Sequence, residues 1–210
     1  MQAPRTTSRA AFGFVFVCAV LSAVSFSIVI PVLPELVRSL SGGDRAQAAE
    51  WMMLLASAWG LTQFLFSPLL GALADRYGRR PVLLLSSLGL ALDFLLMALA
   101  PSLLIFLVGR LVGGATAASF PAARAYVADV TPEEGRAGAF GKLAAALSVD
   151  FMLGPALGGW LGEGDLRLPF FVAAGLCGAN FVYGLLVLPE SLPPLALGGR
   201  YQVCQPTMAE

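Results

Sequence analysis

Six apolar stretches, each long enough to cross a lipid bilayer, constrain the fold of this chain more than any other feature. They lie at about 11–33, 52–73, 81–100, 102–122, 138–161 and 168–188. A helix needs about 20 apolar residues to cross a hydrocarbon core of about 30 Å. The mean hydropathy is +0.80 and only 12% of the residues are charged. The sequence therefore predicts an all-α membrane protein with six transmembrane helices, and the first stretch is too long for a cleaved signal peptide.

The composition argues against several other classes of function. The net charge is zero, so nothing favours nucleic-acid binding. The chain has no histidine and only three cysteines, without metal-ligand spacing, so we expect no metal site and no cofactor. A serine intramembrane protease would need a histidine, and the aspartates lack the flanking residues typical of aspartyl intramembrane proteases. We expect no enzymatic activity.

Lysine and arginine are distributed unevenly between the two sides of the six predicted spans. With the N-terminus inside, the three outer cations are Arg38, Arg45 and Arg167, whereas nine are cytoplasmic: Arg5, Arg9, Arg76, Arg79, Arg80, Arg124, Arg136, Lys142 and Arg200. Cytoplasmic loops carry the excess of these residues. This predicts a multi-pass protein of the cell inner (plasma) membrane with both termini in the cytoplasm.

The sequence predicts three successive regions along the chain. Residues 1–10 form a cytoplasmic N-terminus, 11–191 the six-helix domain, and 192–210 a disordered tail without periodicity. A polar loop is predicted at 34–51, and a short surface helix at 131–136, where Thr-Pro-Glu-Glu resembles a helix start. Between spans 2 and 3 we expect a tight turn of about seven residues, made possible by Gly71 and Gly78.

Several polar residues fall at one depth in the predicted membrane. At 1.5 Å per residue, Asp93 and Asp150 lie about 18 Å from the inner surface and Arg110 about 12 Å from the outer one. Gln63, Asn180 and Ser22 lie near the same level. A charge facing lipid there costs about 3 kcal/mol or more, so these residues should face a shared interior.

The charges in this layer do not balance, because two carboxylates share one arginine. Burial disfavours the charged form of the unpaired carboxylate, which suits a proton-carrying site. The alternative is a structural ion pair between Asp93 and Arg110, with Asp150 near the end of a shifted span. Interhelical hydrogen bonding accounts for Gln63 and Asn180 as well as a cavity does.

Five motifs occur in order along the chain: Ile30-Pro31-Val-Leu-Pro34, Gly71-x3-Asp75-Arg76-x-Gly78-Arg79-Arg80, Leu92-Asp93-Phe94, Gly109-Arg110-x2-Gly113-Gly114, and Gly154-Pro155-Ala-Leu-Gly158-Gly159-x2-Gly162. Together they resemble the N-terminal half of a major facilitator transporter, most closely the tetracycline-efflux branch of the drug:proton antiporters. The resemblance covers residues from about 12 to 191. It implies a half-length major facilitator fold built from two three-helix repeats.

The resemblance also implies roles for particular residues. The proton-coupling and substrate layer would contain Asp93, Arg110, Gln63 and Asn180, with Asp150 added from its depth alone. The gating loop would contain Gly71, Asp75, Arg76, Gly78, Arg79 and Arg80, with Asp75 acting as a charge latch toward the other half. The helix 5 packing motif would contain Gly154, Pro155, Gly158 and Gly159, and Pro155 is expected to bend its helix.

This chain departs from the family pattern at three points. Ser22 stands where tetracycline exporters carry an aspartate, and Ser148 and Asp150 stand where helix 5 usually has glycines. The chain also has six predicted helices instead of about twelve, and its tail after Pro193 loses the resemblance, as a frameshift or early stop would produce. The leading interpretation is a proton-coupled exporter of small molecules or drugs, present as a half-length chain whose partner is a missing C-terminal six-helix half. The alternative is a non-transporting remnant or a membrane interaction protein.

Overall fold

The computed structural model describes residues 8–117, 124–125, 127–128, 131 and 133–187, with side chains described from residue 16 to 186 within those ranges. This part of the chain contains no strand, and its longer helices are α1 (Ser8–Val29), α2 (Leu33–Leu40), α3 (Arg45–Tyr77), α4 (Arg79–Leu99), α5 (Leu103–Thr116), α6 (Glu133–Gly162) and α7 (Leu168–Val187). The all-α prediction is confirmed. The predicted tail at 192–210 lies outside the described residues.

The long helices coincide with the predicted spans. By length and composition α3, α4, α6 and α7 could each cross a membrane, and α1 with α2 could form a fifth span bent by 47°. Helix α5 ends at Thr116, before the end of the predicted span at 102–122, and residues 118–122 lie outside the described part. Each predicted span therefore contains an apolar helix.

The prediction of a long polar loop at 34–51 is wrong. Most of that segment is helical, because Pro34 occupies the first turn of α2, where proline is tolerated, and Asp44 caps α3 by accepting a hydrogen bond of 2.9 Å from the Ala46 N–H. The remaining turn contains Gly42 and Gly43 at φ of 71° and 89°, a region that glycine reaches without strain.

The predicted seven-residue turn after span 2 is also wrong. Helix α3 continues through Gly71 to Tyr77, and α4 begins at Arg79, so only Gly78 interrupts the helical run. Gly78 has a φ of 97°, which explains a glycine at this position. A Cβ added at Gly71 would contact nothing within 4 Å, so Gly71 makes no turn and no close approach within the described part.

The predicted short surface helix at 131–136 does not form as a separate element. Glu133 is the first residue of the 30-residue helix α6, and Glu134 follows it in the first turn. Two carboxylates there complement the positive end of the helix dipole. The start signal is genuine, but it begins a long helix.

Helices α5 and α7 each pack between two other helices. Helix α5 packs between α3 and α4, and α7 packs between α4 and α1, while α6 lies against α1. The rings of Phe106 on α5 and Phe170 on α7 meet edge to face, with their centroids 5.9 Å apart. This contact joins α5 and α7, and with them the helices that pack on each, within one buried core. The core also contains Phe94 and Met97.

Two arginines join α4 and α7 reciprocally at their opposite ends. Arg167, just before α7, donates hydrogen bonds of 2.8 Å to the carbonyls of Ala98 and Ala100 at the end of α4. Arg80, at the start of α4, donates a 2.8 Å bond to the carbonyl of Leu185 in the last turn of α7. Carbonyls at the C-terminal end of a helix lack intrahelical donors. Each arginine therefore donates to carbonyl oxygens at the end of the neighbouring helix.

Glycine permits the close crossing of α6 and α1. A Cβ added at Gly158 would lie 2.8 Å from the carbonyl carbon of Ile28, and one added at Gly154 or Gly162 would contact Ser27 or Val32. Three glycines of the predicted packing face thus lie at close contacts. Gly159 points elsewhere, with nothing within 4 Å of an added Cβ in the described part, and Pro155 lies inside the helix.

We predict that Gly158→Ala lowers the stability of the chain while Gly159→Ala does not. The new methyl at 158 meets backbone that cannot yield without separating the two helices, and overpacking of this kind costs about 1–3 kcal/mol. At the exposed neighbouring position, alanine is simply the better helix former. The measurement is the thermal unfolding midpoint of each purified variant in detergent. Equal midpoints for the two variants would contradict the close crossing.

Candidate functional site

A buried ion pair joins the second half of α4 to the middle of α5. Nη2 of Arg110 donates a hydrogen bond of 2.6 Å to Oδ2 of Asp93, whose side chain has no solvent exposure. Oδ1 of Asp93 and Nε of Arg110 have no hydrogen-bond partner within the described part of the chain. The pair is therefore isolated from water and only partly hydrogen-bonded, so its stability depends strongly on both charges being present.

Two glycines of α5 make room for the Asp93 carboxylate. A Cβ added at Gly113 would lie 2.7 Å from the carboxyl carbon of Asp93, and one added at Gly109 would lie 3.1 Å from Oδ1. Residues 109, 110 and 113 lie on one face of a helix, so the same face supplies both the space and the cation. The Gly109-Arg110-x2-Gly113 motif is visible in the sequence. The need for glycine at 109 and 113 becomes clear only in the structure, where α4 packs beside α5.

The next glycine of α5 faces the opposite neighbour. A Cβ added at Gly114 would lie 2.6 Å from the carbonyl oxygen of Trp59 and 2.8 Å from Oγ1 of Thr62, both on α3. Consecutive glycines thus bring α5 against α4 on one side and α3 on the other. A shift of α5 cannot leave either neighbour unaffected.

A cavity of about 260 Å³ lies among α1, α3, α4 and α6. Its wall is mostly apolar and aromatic, with a hydroxyl, an amide and a guanidinium among the lining residues: Ser22, Ala23, Phe26, Trp59, Gln63, Leu90, Ala117, Arg124, Leu147 and Phe151. The rings of Phe26 and Trp59 are 5.9 Å apart at an interplanar angle of 35°. The Trp59 indole N–H has no acceptor among the described residues. An apolar pocket with few polar groups is the usual form of a small-molecule site.

Asn180 lies behind this cavity, at a junction of three helices. Its Nδ2 is within 3.2 Å of both the Cys18 carbonyl and Oγ of Ser22 on α1, and within 3.3 Å of Oγ of Ser87 on α4. The Asn180 side chain is buried and does not line the cavity. Asn180 positions Ser22, and Ser22 lines the cavity. The Asn180 amide can therefore influence the cavity wall without contacting a ligand.

Asp150 lies apart from the ion pair, at the crossing of α6 and α1. Its Oδ1 accepts a hydrogen bond of 2.9 Å from Oγ of Ser27, and its Oδ2 has no partner in the part of the chain that the structure describes. The predicted layer therefore consists of four distinct places: the Asp93–Arg110 pair, the Asn180 junction, the cavity wall with Gln63, and Asp150.

The loop residues lie at the end of α3 and the start of α4. Asp75 and Arg79 form an ion pair of 3.0 Å across Gly78, and Asp75 remains 69% exposed. The Arg76 guanidinium lies 5.3 Å above the Tyr77 ring. An ion pair with so exposed a carboxylate adds little stability.

Comparison with known proteins gives a consistent result. The family model described as Major Facilitator Superfamily matches residues 15–200. The class C tetracycline resistance protein of Escherichia coli is 46% identical over 171 residues, which are 81% of this chain and 43% of the relative. Multidrug resistance protein 2 of Bacillus subtilis (strain 168) is 34% identical over 172 residues, 80% of this chain and 41% of the relative.

A solved structure is similar over most of the chain. The human organic anion transporter MFSD10 (TETRAN) superposes with a TM-score of 0.78 at 29% identity, covering 91% of this chain and 49% of that one. The present chain thus spans less than half the length of the curated relatives that it matches.

We predict strong coupling between Asp93 and Arg110 in a double-mutant cycle. Asp93→Asn leaves a buried guanidinium without its counter-ion, and Arg110→Gln leaves a buried carboxylate, so each should lower the free energy of unfolding by about 3–5 kcal/mol. The double variant should lose much less than the sum of the two. The measurement is equilibrium unfolding in detergent, and strictly additive losses would contradict a direct interaction.

Proposed function

This chain belongs to the Major Facilitator Superfamily, and we propose that it forms the N-terminal half of a proton-coupled drug exporter of the tetracycline and multidrug type. The observation that carries the proposal is the isolated Asp93–Arg110 pair, held in a bundle that also contains an aromatic cavity. We propose the inner membrane as its location, with both termini in the cytoplasm.

The ion pair is suited to exchange a proton with the transport path. Protonation of Asp93 would remove the charge–charge attraction between its carboxylate and Arg110. The guanidinium would then lack a charged hydrogen-bond acceptor. Because both charges are buried at the α4–α5 contact, such a change would disturb the packing of α5. In this proposal the pair converts proton binding into a movement of α5.

The same helix connects the pair to the cavity. Gly113 contacts Asp93 on α4, while Gly114 contacts the backbone of Trp59, whose ring lines the cavity. Displacement of α5 would therefore move an aromatic wall residue. This adjacency supports coupling between proton and substrate over a short path of contacting groups.

The cavity suits a flat, largely apolar molecule with a few acceptor groups. Phe26, Trp59 and Phe151 provide aromatic contacts, and Gln63, Arg124 and the unpaired Trp59 N–H provide hydrogen-bond donors. Such a lining accepts related compounds of different shape, and it supports a drug-like substrate class. We propose that Asn180 acts on the cavity through Ser22.

We further propose that a second six-helix half covers the outer faces of α3 and α6. Large apolar side chains are exposed along both helices, including Met53, Leu61, Phe64 and Leu65 on α3 and Met152 and Trp160 on α6. The exposed Asp75 would then latch to that half, with Gly71 and the arginines of the loop close to the contact. Gly154, Pro155, Gly158 and Gly159 would support rocking of the two halves through α6.

The test is functional complementation. The 210-residue chain is expressed in a drug-sensitive bacterium alone and together with the C-terminal half of the class C tetracycline resistance protein. We expect proton-driven tetracycline uptake into inverted membrane vesicles only from the combination. Failure to transport, although both halves are inserted in the membrane, would favour a non-transporting remnant or interaction protein.

We predict that Asp93→Asn abolishes proton-driven uptake in the complemented system, because the asparagine cannot take up and release a proton. Glu50→Gln, at an exposed carboxyl outside the site, serves as the matched control and should leave uptake unchanged. Drug binding is measured separately by quenching of tryptophan fluorescence. Proton-driven uptake that survives in Asp93→Asn would contradict the proposed coupling role.

A further inference from the structure

Asp150 is a buried carboxyl group that the proposed coupling pair does not use. Only 4% of the residue is exposed, and its one hydrogen-bond donor in the described part of the chain is the neutral hydroxyl of Ser27, at 2.9 Å. Oδ2 is buried, and none of the described residues donates a hydrogen bond to it. An ionised carboxylate with one neutral donor in such a place is costly, and the neutral acid is much less so.

Among the described side chains, no charged group on the elements packed against Asp150 compensates it. The described side chains of α1 and α7 carry no formal charge, their titratable groups being Cys18, Cys177 and Tyr183. On α6 itself the other charges are Glu133, Glu134, Arg136 and Lys142, all at least eight residues away, or about 12 Å along the helix.

One further cation lies in the neighbourhood, on the cavity wall. Arg124 lines the cavity together with Phe151, the residue after Asp150, but forms no ion pair with Asp150. Arg110 is already bonded to Asp93. The charges of α2, Glu35 and Arg38, pair with one another beyond the far end of the crossing.

The position of Asp150 links its charge to helix packing. Ser27 is the residue that an added Cβ at Gly154, one turn after Asp150, would meet. The Ser27–Asp150 bond therefore lies within the tightest part of the α1–α6 crossing. A charge formed there would favour separation of the helices and entry of water.

We propose that Asp150 is a second proton-binding site, distinct from the Asp93–Arg110 pair. In the closed α1–α6 crossing the proton resides on Oδ2, while Oδ1 accepts the Ser27 hydrogen bond. When the helices separate, the acid releases its proton to water and becomes a hydrated carboxylate. The ligand is H⁺ alone, and the site requires neither transport activity nor a second half of the protein.

The test uses infrared spectroscopy of the 210-residue chain in lipid nanodiscs. At neutral pH we expect the C=O stretching band of a protonated carboxylic acid in the wild type. The band should be absent from Asp150→Asn and retained in the matched variant Asp93→Asn. Ser27→Ala should raise its frequency, because the C=O then loses a hydrogen bond.

A second measurement keeps the proposal testable if Asp150→Asn does not fold. Labelling with [4-¹³C]aspartate should shift the band, and the Ser27→Ala effect on that labelled band identifies Asp150 without replacing it. Raising the pH until the band disappears should also lower the unfolding temperature of the wild type. A spectrum with no band sensitive to Ser27 or Asp150 between about pH 5 and 9 would overturn the proposal while leaving the exporter proposal untouched.

Discussion

The close approach of helix backbones at glycine is the constraint on which the rest of this structure depends. In lipid, helices gain little from hydrophobic association, so packing and interhelical hydrogen bonds must hold them together. Gly113 and Gly114 allow α5 to lie against α4 and α3, and Gly154 and Gly158 allow α6 to lie against α1. Each of these contacts would be blocked by a single methyl group.

Two of these crossings contain the buried carboxyl groups of Asp93 and Asp150. The Asp93 carboxylate occupies the space left by Gly109 and Gly113, and the Ser27–Asp150 bond lies next to Gly154. Small residues and polar groups therefore occur together for a physical reason. A buried carboxyl group needs a partner within hydrogen-bond distance, and only closely approaching helices provide one across an interface.

The sequence predicted the apolar helical segments well and the lateral neighbours of each helix poorly. Hydropathy located all six apolar segments, because the bilayer fixes their length. Hydropathy did not distinguish Gly71, which lies inside α3, from Gly78, which has a positive φ and ends that helix. The residues around both glycines are compatible with a helix, so composition alone does not locate the break. Gln63 and Asn180 were assigned to the same level, yet one lines the cavity and the other joins three helices. Helices that are apolar on nearly every face give little indication of which neighbour each face meets.

The two carboxyl groups occupy different mechanical positions, and this difference matters for any coupled motion. Asp93 is held on α4 against α5, and through Gly114 that helix contacts the cavity residue Trp59. Asp150 is held on α6 against α1, and these helices contribute Phe151 and Phe26 to the same cavity. The two routes meet at one part of the wall, because the rings of Phe26 and Trp59 are only 5.9 Å apart. A change of packing at either crossing would therefore reach the same aromatic pair.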